Sequence, residues 1–254
     1  MNGLHLMHYA WTGWLRDCSN SLPAKPSPAL CDQWREDGFD PLSWRMKNGQ
    51  LQLVVGMREP RTPAFVAQRV KGRWQRALRE HPDFPGFKKN FFLRTLGQNK
   101  RDDVDTYIRN QALNGDFADP ICRRRYHDLR YVRRDQRDPL TDRRVTYDLF
   151  HHVVLVTGGR VRMWSEREPS KLSEALPKAL ERTGLILYEL SLMPDHAHLL
   201  VRGTADRDSQ QILDTIKEVS GGLLNRTAFW QSGGYIGSVG PYRLQTAMAW
   251  NEKL

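Results

Sequence analysis

The most informative segment of the chain is Met193-Pro194-Asp195-His196-Ala197-His198-Leu199-Leu200-Val201. In a strand, successive side chains point to opposite faces, so His196 and His198 would share one face two residues apart. The apolar residues that follow would continue the strand into the protein. Two imidazoles aligned in this way supply half of a divalent-metal site or a clamp for an oxyanion, whereas the motif alone fits a pair of half-exposed strand histidines equally well.

The composition is that of a globular protein with a polyanionic partner. Of the 254 residues, 39% are hydrophobic and 27% charged, and the formal net charge is +10. Such an excess favours nucleic acid first and an anionic membrane second. The chain has neither an apolar run long enough to span a bilayer nor the blocks of a signal peptide, and its three cysteines are widely spaced. We therefore expect a cytoplasmic, nucleoid-associated bacterial protein without a membrane partner.

Periodicity and turn signals predict a mixed α+β chain. In the first half we expect a buried strand over 4–12, a segment that is mainly loop over 13–42, and a hairpin around Asn48-Gly49. A helix from Pro63, a strand over 91–96 and a helix over 102–113 follow. In the second half we expect strands over 147–157, 185–193, 196–202 and 235–239, and helices over 170–183, 209–227 and 244–250.

Residues 119–146 differ in character from both halves. They contain nine arginines and five aspartates, with Pro120 and Pro139 near the ends. This composition predicts a basic connector, which could help to track phosphates or could be a solvated linker.

The two halves repeat the same pattern at the same spacing. Sixteen residues separate Val55 from Lys71, and sixteen separate Val201 from Lys217. Similar strands end at Gly97 and Gly240, and Trp11-Thr12 matches Val156-Thr157 at the starts. We interpret residues 1–118 and 147–254 as a tandem duplication of a small ferredoxin-like αβ unit with an antiparallel sheet, packed as a pseudo-dimer.

Each half lacks what the other keeps. The two histidines correspond to Gln50 and Gln52 in the first half, which are much poorer metal ligands. Conversely, Tyr107 corresponds to Trp250, and Gln111 corresponds to Leu254. Complementary losses of this kind are hard to explain by drift in an inert protein.

The second half resembles the HUH motif of single-tyrosine transposases, the family that includes the insertion-sequence-200-like TnpA proteins and the REP-associated tyrosine transposases. The resemblance rests on residues 192–201, on Phe229-Trp230-Gln231 and on residues 235–240. In the first half, residues 91–97 followed by Thr106-Tyr107-Ile108-Arg109-Asn110-Gln111 resemble the nucleophile helix of the family. Except for residues 13–42 and 119–146, most of the chain is covered.

The resemblance implies a role for each matching residue. His196 and His198 match the metal-binding histidines, Tyr107 matches the nucleophile, and Gln111 matches the residue that completes the metal site. It further implies a fused pair of subunits with one composite site kept and one lost. Tyr242 is the alternative nucleophile, because it lies near the histidines in sequence; we interpret Tyr235 as a core residue.

The implied reaction is cleavage and rejoining of single-stranded DNA through a 5′-phosphotyrosine. A phenol with an ordinary pKa near 10 is a weak nucleophile, so a divalent cation must polarise the phosphate. We expect Mg²⁺ or Mn²⁺ and no nucleotide cofactor, because the phosphoester energy is kept. The predicted partner is single-stranded DNA, folded into hairpins, and a fused monomer is sufficient for function.

Two other functions fit the same residues. One is a catalytically inactive, structure-specific binder of single-stranded DNA, and the other is a metal-dependent phosphodiesterase in which water is the nucleophile. Exposed aromatics such as Trp14 or Tyr126 could stack on unpaired bases in each case. The candidate phosphate contacts on the helices and the connector are Arg69, Lys71, Arg73, Arg123, Arg124, Arg125, Lys217 and Arg226.

Overall fold

The protein is described by a computed structural model that covers residues 7–17, 22, 25–115, 119–134, 139–142, 144–163 and 167–252. The start of the strand predicted over 4–12, and Leu254, therefore lie outside the described residues. The elements of the first part are β1 (His8–Leu15), α1 (Pro28–Glu36), β2 (Phe39–Lys47), β3 (Gln50–Met57), α2 (Pro63–Leu78), β4 (Phe87–Leu96), α3 (Arg101–Arg109) and α4 (Gln111–Asn114).

The rest of the chain adds seven strands and four α-helices within the described residues. They are α5 (Pro120–Asp128), β5 (Tyr131–Val132), β6 (Leu140–Asp142), β7 (Val145–Asp148), β8 (Phe150–Val156), α6 (Arg167–Glu181), β9 (Ile186–Leu192), β10 (His196–Arg202), α7 (Ser209–Leu224), β11 (Tyr235–Val239) and α8 (Leu244–Glu252). In the part of the chain that the structure describes, no helix is long and apolar enough to cross a membrane.

These strands form two sheets, and the predicted α+β fold with antiparallel sheets is confirmed. The first sheet has the order β2-β3-β1-β4-β7-β6, and only the pairing of β4 with β7 is parallel. The second sheet has the order β11-β8-β10-β9-β5 and is antiparallel throughout. The spatial strand order β4-β1-β3-β2 in the first sheet is thus repeated as β11-β8-β10-β9 in the second.

Local sequence explains the hairpin and the helix starts. Asn48 and Gly49 both have positive φ, 51° and 71°, as a two-residue hairpin turn between β2 and β3 requires. Thr62 accepts a hydrogen bond from Phe65 N ahead of Pro63. These signals fix where β2, β3 and α2 begin and end.

Each sheet buries one face under its own helices. In the first sheet, Trp11, Trp34 and Trp74 form the aromatic centre of a core beneath α1 and α2, with ring centroids 5.5 to 6.1 Å apart. In the second sheet, Leu199 and Ile212 belong to the core beneath α6 and α7. The opposite face of each sheet is not covered by these helices.

That opposite face is covered in each case by a helix from the other half. α3 follows β4 of the first sheet, yet its residues Val104 and Ile108 pack with Leu200 and Val239 of the second sheet. α8 follows β11 of the second sheet, yet it packs against β2 and β3 of the first through residues that include Leu244. The two helices are exchanged.

The exchange takes place at two glycines with matching hydrogen bonds. The N–H of Arg101 donates to Gly240 O over 2.7 Å, and the N–H of Leu244 donates to Gly97 O over 2.8 Å. Each bond uses the glycine that ends one strand and the first residue of the helix that follows the other. The contact is therefore self-complementary, as across a two-fold axis.

Two buried hydroxyls repeat this reciprocity. Thr95 Oγ1 donates to Val239 O over 2.6 Å, and Ser238 Oγ donates to Leu96 O over 2.5 Å. Each hydroxyl also accepts a hydrogen bond over 2.9 Å. The N–H of Phe150, at the start of β8, donates to Thr95 Oγ1, and the N–H of His8, at the start of β1, donates to Ser238 Oγ. Because each hydroxyl is buried and bonded on both sides, it ties β4, β11 and the neighbouring strand together.

The structure corrects two details of the sequence interpretation and shows the secondary structure of the basic connector. β1 matches β8 in a different register, because Thr12 pairs with Gln52 as Val154 pairs with His198. The helix predicted over 102–113 is interrupted at Asn110, which has φ −94° and ψ 2°. The segment 119–146, apart from 135–138 and 143, which lie outside the described residues, holds α5 and three strands of the two sheets.

Replacing either crossing glycine by alanine is expected to destabilise the fold strongly. A Cβ at Gly97 would lie 2.3 Å from Ser238 O, and one at Gly240 would lie 2.0 Å from Thr95 O. Because both obstacles are backbone atoms, the strands would have to separate. We expect each substitution to lower the free energy of unfolding by about 2 kcal/mol or more, measured by urea denaturation.

Two helical glycines provide the matched controls. A Cβ at Gly72 in α2 or at Gly222 in α7 would meet nothing within 4 Å. Gly72→Ala and Gly222→Ala should therefore raise stability by up to about 1 kcal/mol. Equal stability of Gly97→Ala and Gly72→Ala would contradict the close crossing.

Candidate active site

β10 places the two predicted histidines on the face of the second sheet that α3 covers. The His196 and His198 ring centroids are 5.1 Å apart and nearly perpendicular, at 77°. His198 is 6% exposed, whereas His196 lies at the edge of the face and is half-buried. One histidine is thus enclosed by the fold, and the other is open to solvent.

Both histidines use Nδ1 for hydrogen bonds within the protein. His196 Nδ1 lies 2.7 Å from Asp195 Oδ1, and His198 Nδ1 lies 3.2 Å from Nε2 of a third histidine, His152. When each Nδ1 carries the proton and donates it, both Nε2 atoms keep their lone pairs. Hydrogen bonds of this kind orient metal-binding histidines and fix their tautomer.

His152 was not predicted from the sequence. It lies on β8 beside β10, and its ring stacks on that of His198 with centroids 5.4 Å apart and planes at 18°. The dipeptide His151-His152 in a predicted strand indicates that one of these two histidines lies on each face of the sheet. The place of His152 beside His198, however, depends on the register between β8 and β10, which the local sequence pattern does not give.

Tyr107 reaches this face from α3. Its ring centroid lies 5.5 Å from that of His198, edge-on at 87°, and 6.0 Å from that of His152. The side chain is 50% exposed, so the phenol is accessible to a substrate in solvent. The exchanged helix therefore brings a tyrosine of the first half against the histidines of the second.

A buried ion pair holds α3 in this place. Arg109, two residues after Tyr107, donates to Glu189 Oε1 over 3.0 Å from Nε and 2.6 Å from a terminal nitrogen, and also contacts Asp105 over 3.3 Å. Glu189 lies on β9 and is 1% exposed. Burial raises its pKa, with Asp105 adding to the rise, and the bond to Arg109 opposes both effects.

Burial also keeps two of the site histidines, His152 and His198, neutral. It lowers the pKa of His198 to about 3, with the other two site histidines adding to the effect, and lowers that of His152 to about 4. Burial would raise the pKa of Asp195, but the hydrogen bond and charge of His196 hold it below its ordinary value. Neutral imidazoles beside an ionised carboxylate are the state that a divalent cation requires.

Gln111 lies beside Tyr107 but not on a continuous helix with it. After the interruption at Asn110, Gln111 begins α4, and its Nε2 donates to Tyr107 O over 3.2 Å. That bond engages the amide nitrogen, whereas a metal would bind the amide oxygen. Among the described residues, no group of three or more His, Cys, Asp or Glu side chains is placed to hold a metal, so a third ligand from these residues would be of another type.

The two other tyrosines near the histidines in sequence lie in different places. Tyr235, interpreted as a core residue, is in fact 46% exposed, and its ring lies 5.6 Å from that of His152. Tyr242, the alternative nucleophile, packs on Trp250 at 4.8 Å and lines a cavity over the first sheet. Of these two, only Tyr235 has a described ring contact with a site histidine.

The four predicted phosphate contacts on α2 and α7 have partners within the protein. Lys71 Nζ donates to Lys88 O over 2.7 Å, and Lys217 Nζ donates to Ser232 O over 2.5 Å. Arg73 forms two hydrogen bonds with one carboxylate, Asp37, which also attracts Arg69 at 3.7 Å. Each of these contacts links a helix to another segment of the chain.

The remaining basic candidates lie near the second sheet. Arg226 pairs with Glu168 over 3.0 Å, and Arg123 and Arg124 are exposed on α5. Arg125 is half-buried on the same helix. Tyr126, considered above for base stacking, is buried and donates its hydroxyl to Met163 O over 2.7 Å, so it is not available for that role.

Comparisons with known proteins found one family match, which covers part of the chain. Residues 145–249 match the family model of the IS200-like transposases. One similar solved structure is a candidate transposase from Deinococcus radiodurans R1, with 19% identity over 44% of this chain and 95% of that chain and a TM-score of 0.37. No curated protein matches the chain. The family match thus lies in the second half, which contains the histidines.

Acid is expected to destabilise the protein through its buried histidines, and His151 is the one to test. It is 1% exposed, and burial lowers its pKa from 6.5 to about 4. Between these values the unfolded chain binds a proton and the folded chain does not, so stability falls as the pH falls. His151→Leu should reduce this slope by up to about 1.4 kcal/mol per pH unit. The measurement is urea denaturation from pH 7 to pH 4; parallel curves for both proteins would contradict it.

Proposed function

We propose that the protein cleaves and rejoins single-stranded DNA through a covalent 5′-phosphotyrosine on Tyr107. The observation that carries this proposal is the 5.5 Å ring contact between Tyr107 of the first half and His198 of the second. The match of residues 145–249 to the IS200-like transposases supports the same type of reaction. An accessible phenol beside two oriented imidazoles has the parts needed for phosphoryl transfer.

We further infer that the chain is a duplicated, fused pseudo-dimer with one composite site. The repeated strand order, the exchanged helices and the reciprocal bonds at Gly97 and Gly240 support this inference. Each exchanged helix lies over the other half's sheet. Since all parts of the site belong to one chain, a monomer would be sufficient.

The residues present fit a divalent cation, Mg²⁺ or Mn²⁺. His196 and His198 would bind it through Nε2, because their Nδ1 atoms face Asp195 and His152, and Gln111 would contribute its amide oxygen. A bound cation would supply Lewis-acid polarisation of the scissile phosphate. Open positions for phosphate oxygens would remain, as in catalytic metal sites generally.

The chain's own groups account for the rest of the reaction. The Tyr107 oxygen attacks phosphorus and loses its proton; the bond to the 3′-oxygen breaks, and that oxygen takes up a proton. Arg109 and Glu189 hold α3 so that the phenol stays beside the histidines. In the reverse reaction a 3′-hydroxyl attacks the phosphotyrosine, which joins strands without ATP because the phosphoester energy is kept.

A covalent adduct on denaturing gels tests the nucleophile. Wild-type protein with Mn²⁺ and labelled single-stranded hairpin pools should form an adduct that Tyr107→Phe and His198→Ala reduce at least about 100-fold. Tyr235→Phe and Tyr242→Phe are matched controls, because each removes one phenol outside the proposed attack position. Retention of the adduct in Tyr107→Phe, with loss in Tyr235→Phe, would move the nucleophile into the second half.

The same experiment separates the two rival functions. A structure-specific binder would bind the pools with no adduct, and Tyr107→Phe would leave its binding unchanged. A metal-dependent phosphodiesterase would cut the DNA over many turnovers, also without an adduct. Either result would replace our proposal.

Metal binding is expected to depend both on the proposed ligand His198 and on His152, which orients it. In Mn²⁺ titrations followed by calorimetry, His198→Ala should abolish measurable binding, and His152→Ala should weaken it about 10- to 100-fold because His198 loses its Nδ1 partner. Gln52→Ala is the control for a substitution in a strand of the same fold, since Gln52 occupies the position of the first sheet that corresponds to His198. Equal effects of His152→Ala and Gln52→Ala would contradict the orienting role of His152.

A further inference from the structure

The face of the first sheet that corresponds to the histidine face carries a large cavity. Its volume is about 1190 Å³, and its floor includes Gln50 and Gln52, where the second sheet has the two histidines. Trp250 of the exchanged helix α8 lies at its rim, as Tyr107 of α3 lies at the active site. The cavity therefore occupies the place of a second active site that lacks the reactive residues.

The lining of this cavity is strongly basic. Five cationic side chains surround it, and among the described residues that line it none is acidic. The five are Arg16, Lys88, Lys89, Arg94 and Arg144. A concave surface with several cations and no carboxylate concentrates field lines and attracts a polyanion. In the histidine site, by contrast, Asp195 and Glu189 lie close to the reactive groups.

Aromatic side chains alternate with these cations. Tyr242 and Trp250 are 38% and 46% exposed, with ring centroids 4.8 Å apart at 70°. The guanidinium carbon of Arg94 lies 4.3 Å from the centroid of Phe92 and 5.6 Å from that of Tyr242. Trp14, on β1 opposite Gln50, completes the set. Exposed rings interleaved with cations are the features by which proteins bind unpaired bases and their phosphates.

We propose that this cavity binds unpaired nucleotides of single-stranded DNA and holds them without cleavage. Bases would stack on Trp14, Tyr242 and Trp250, the cations would contact phosphates, and the amides of Gln50 and Gln52 would meet base edges. The proposal rests on the proposed function for the identity of the polymer. It gives the two composite sites different roles: one reacts with the strand, and the other retains it.

Equilibrium binding tests the stacking residues. Fluorescence anisotropy of labelled oligothymidylate is measured in a Tyr107→Phe background, so that no covalent product forms. Trp250→Leu and Tyr242→Leu should each weaken binding about five-fold or more. Both side chains are more than a third exposed, so the fold should tolerate the changes. Unchanged affinity in both variants would overturn the proposal.

Salt dependence tests the cations. Replacing Arg94 and Arg144 together by glutamine should reduce the slope of log affinity against log salt concentration by about 1.4 for a single strand. Arg76→Gln with Arg79→Gln is the matched control, because these exposed arginines lie at the end of α2, on the helix-covered side of the same sheet. Equal changes in slope for the two double variants would overturn the proposal.

Photo-crosslinking locates the bound strand directly. Oligonucleotides containing bromodeoxyuridine, crosslinked to the Tyr107→Phe protein and mapped by mass spectrometry, should label peptides with Trp14, Tyr242 or Trp250. Labelling confined to the histidine face would overturn the cavity as a binding site while leaving the proposed function intact. If wild-type protein forms no adduct and no variant or wild type binds the strand, both proposals fail together.

Discussion

The rest of the structure depends on the close approach of two backbones at Gly97 and Gly240. At both positions a Cβ would collide with a carbonyl oxygen of the opposite strand, so only glycine permits the reciprocal hydrogen bonds that begin α3 and α8. Because each helix starts at this crossing, each is directed onto the sheet of the other half. The crossing thus carries Tyr107 onto the sheet that holds the histidines and away from its own sheet, which has Gln50 and Gln52 at the equivalent positions.

A second constraint fixes the orientation of α3 beyond its first residue. Over the length of α3, apolar packing of Val104 and Ile108 is combined with the ion pair between Arg109 and the buried Glu189. A buried carboxylate without a partner costs several kcal/mol, so the pairing penalises any rotation of α3 that would withdraw Arg109. Glu189 lies on the same sheet face as His198. The ion pair therefore stabilises one rotation of α3 about its own axis. That rotation places the Tyr107 ring against the histidines.

The sequence predicted much of this arrangement, and its failures have physical causes. Strand alternation placed His196 and His198 on one face, and turn chemistry placed the hairpin at Asn48-Gly49, because both are local effects. The break at Asn110 and the exposure of Tyr235 depend on tertiary packing, which local patterns do not contain. His152 was missed for a related reason: its contact with His198 is set by the register between two strands, and a shift of a few residues moves a side chain to another neighbour or to the other face.

The two equivalent faces of the sheets share an architecture but differ in chemistry. Each face consists of strand side chains that alternate in direction, and each is covered by a helix from the other half. Both features follow from the strand order and the glycine crossing. What differs is the electrostatics of the floor. Carboxylates beside neutral imidazoles suit a cation, whereas arginines and lysines with no carboxylate among the described lining residues suit phosphates directly. The proposed reaction uses only the face with the histidines and Tyr107. The other face is free to carry several cations, and its basic lining fits the proposal that it holds the phosphates of the same polymer.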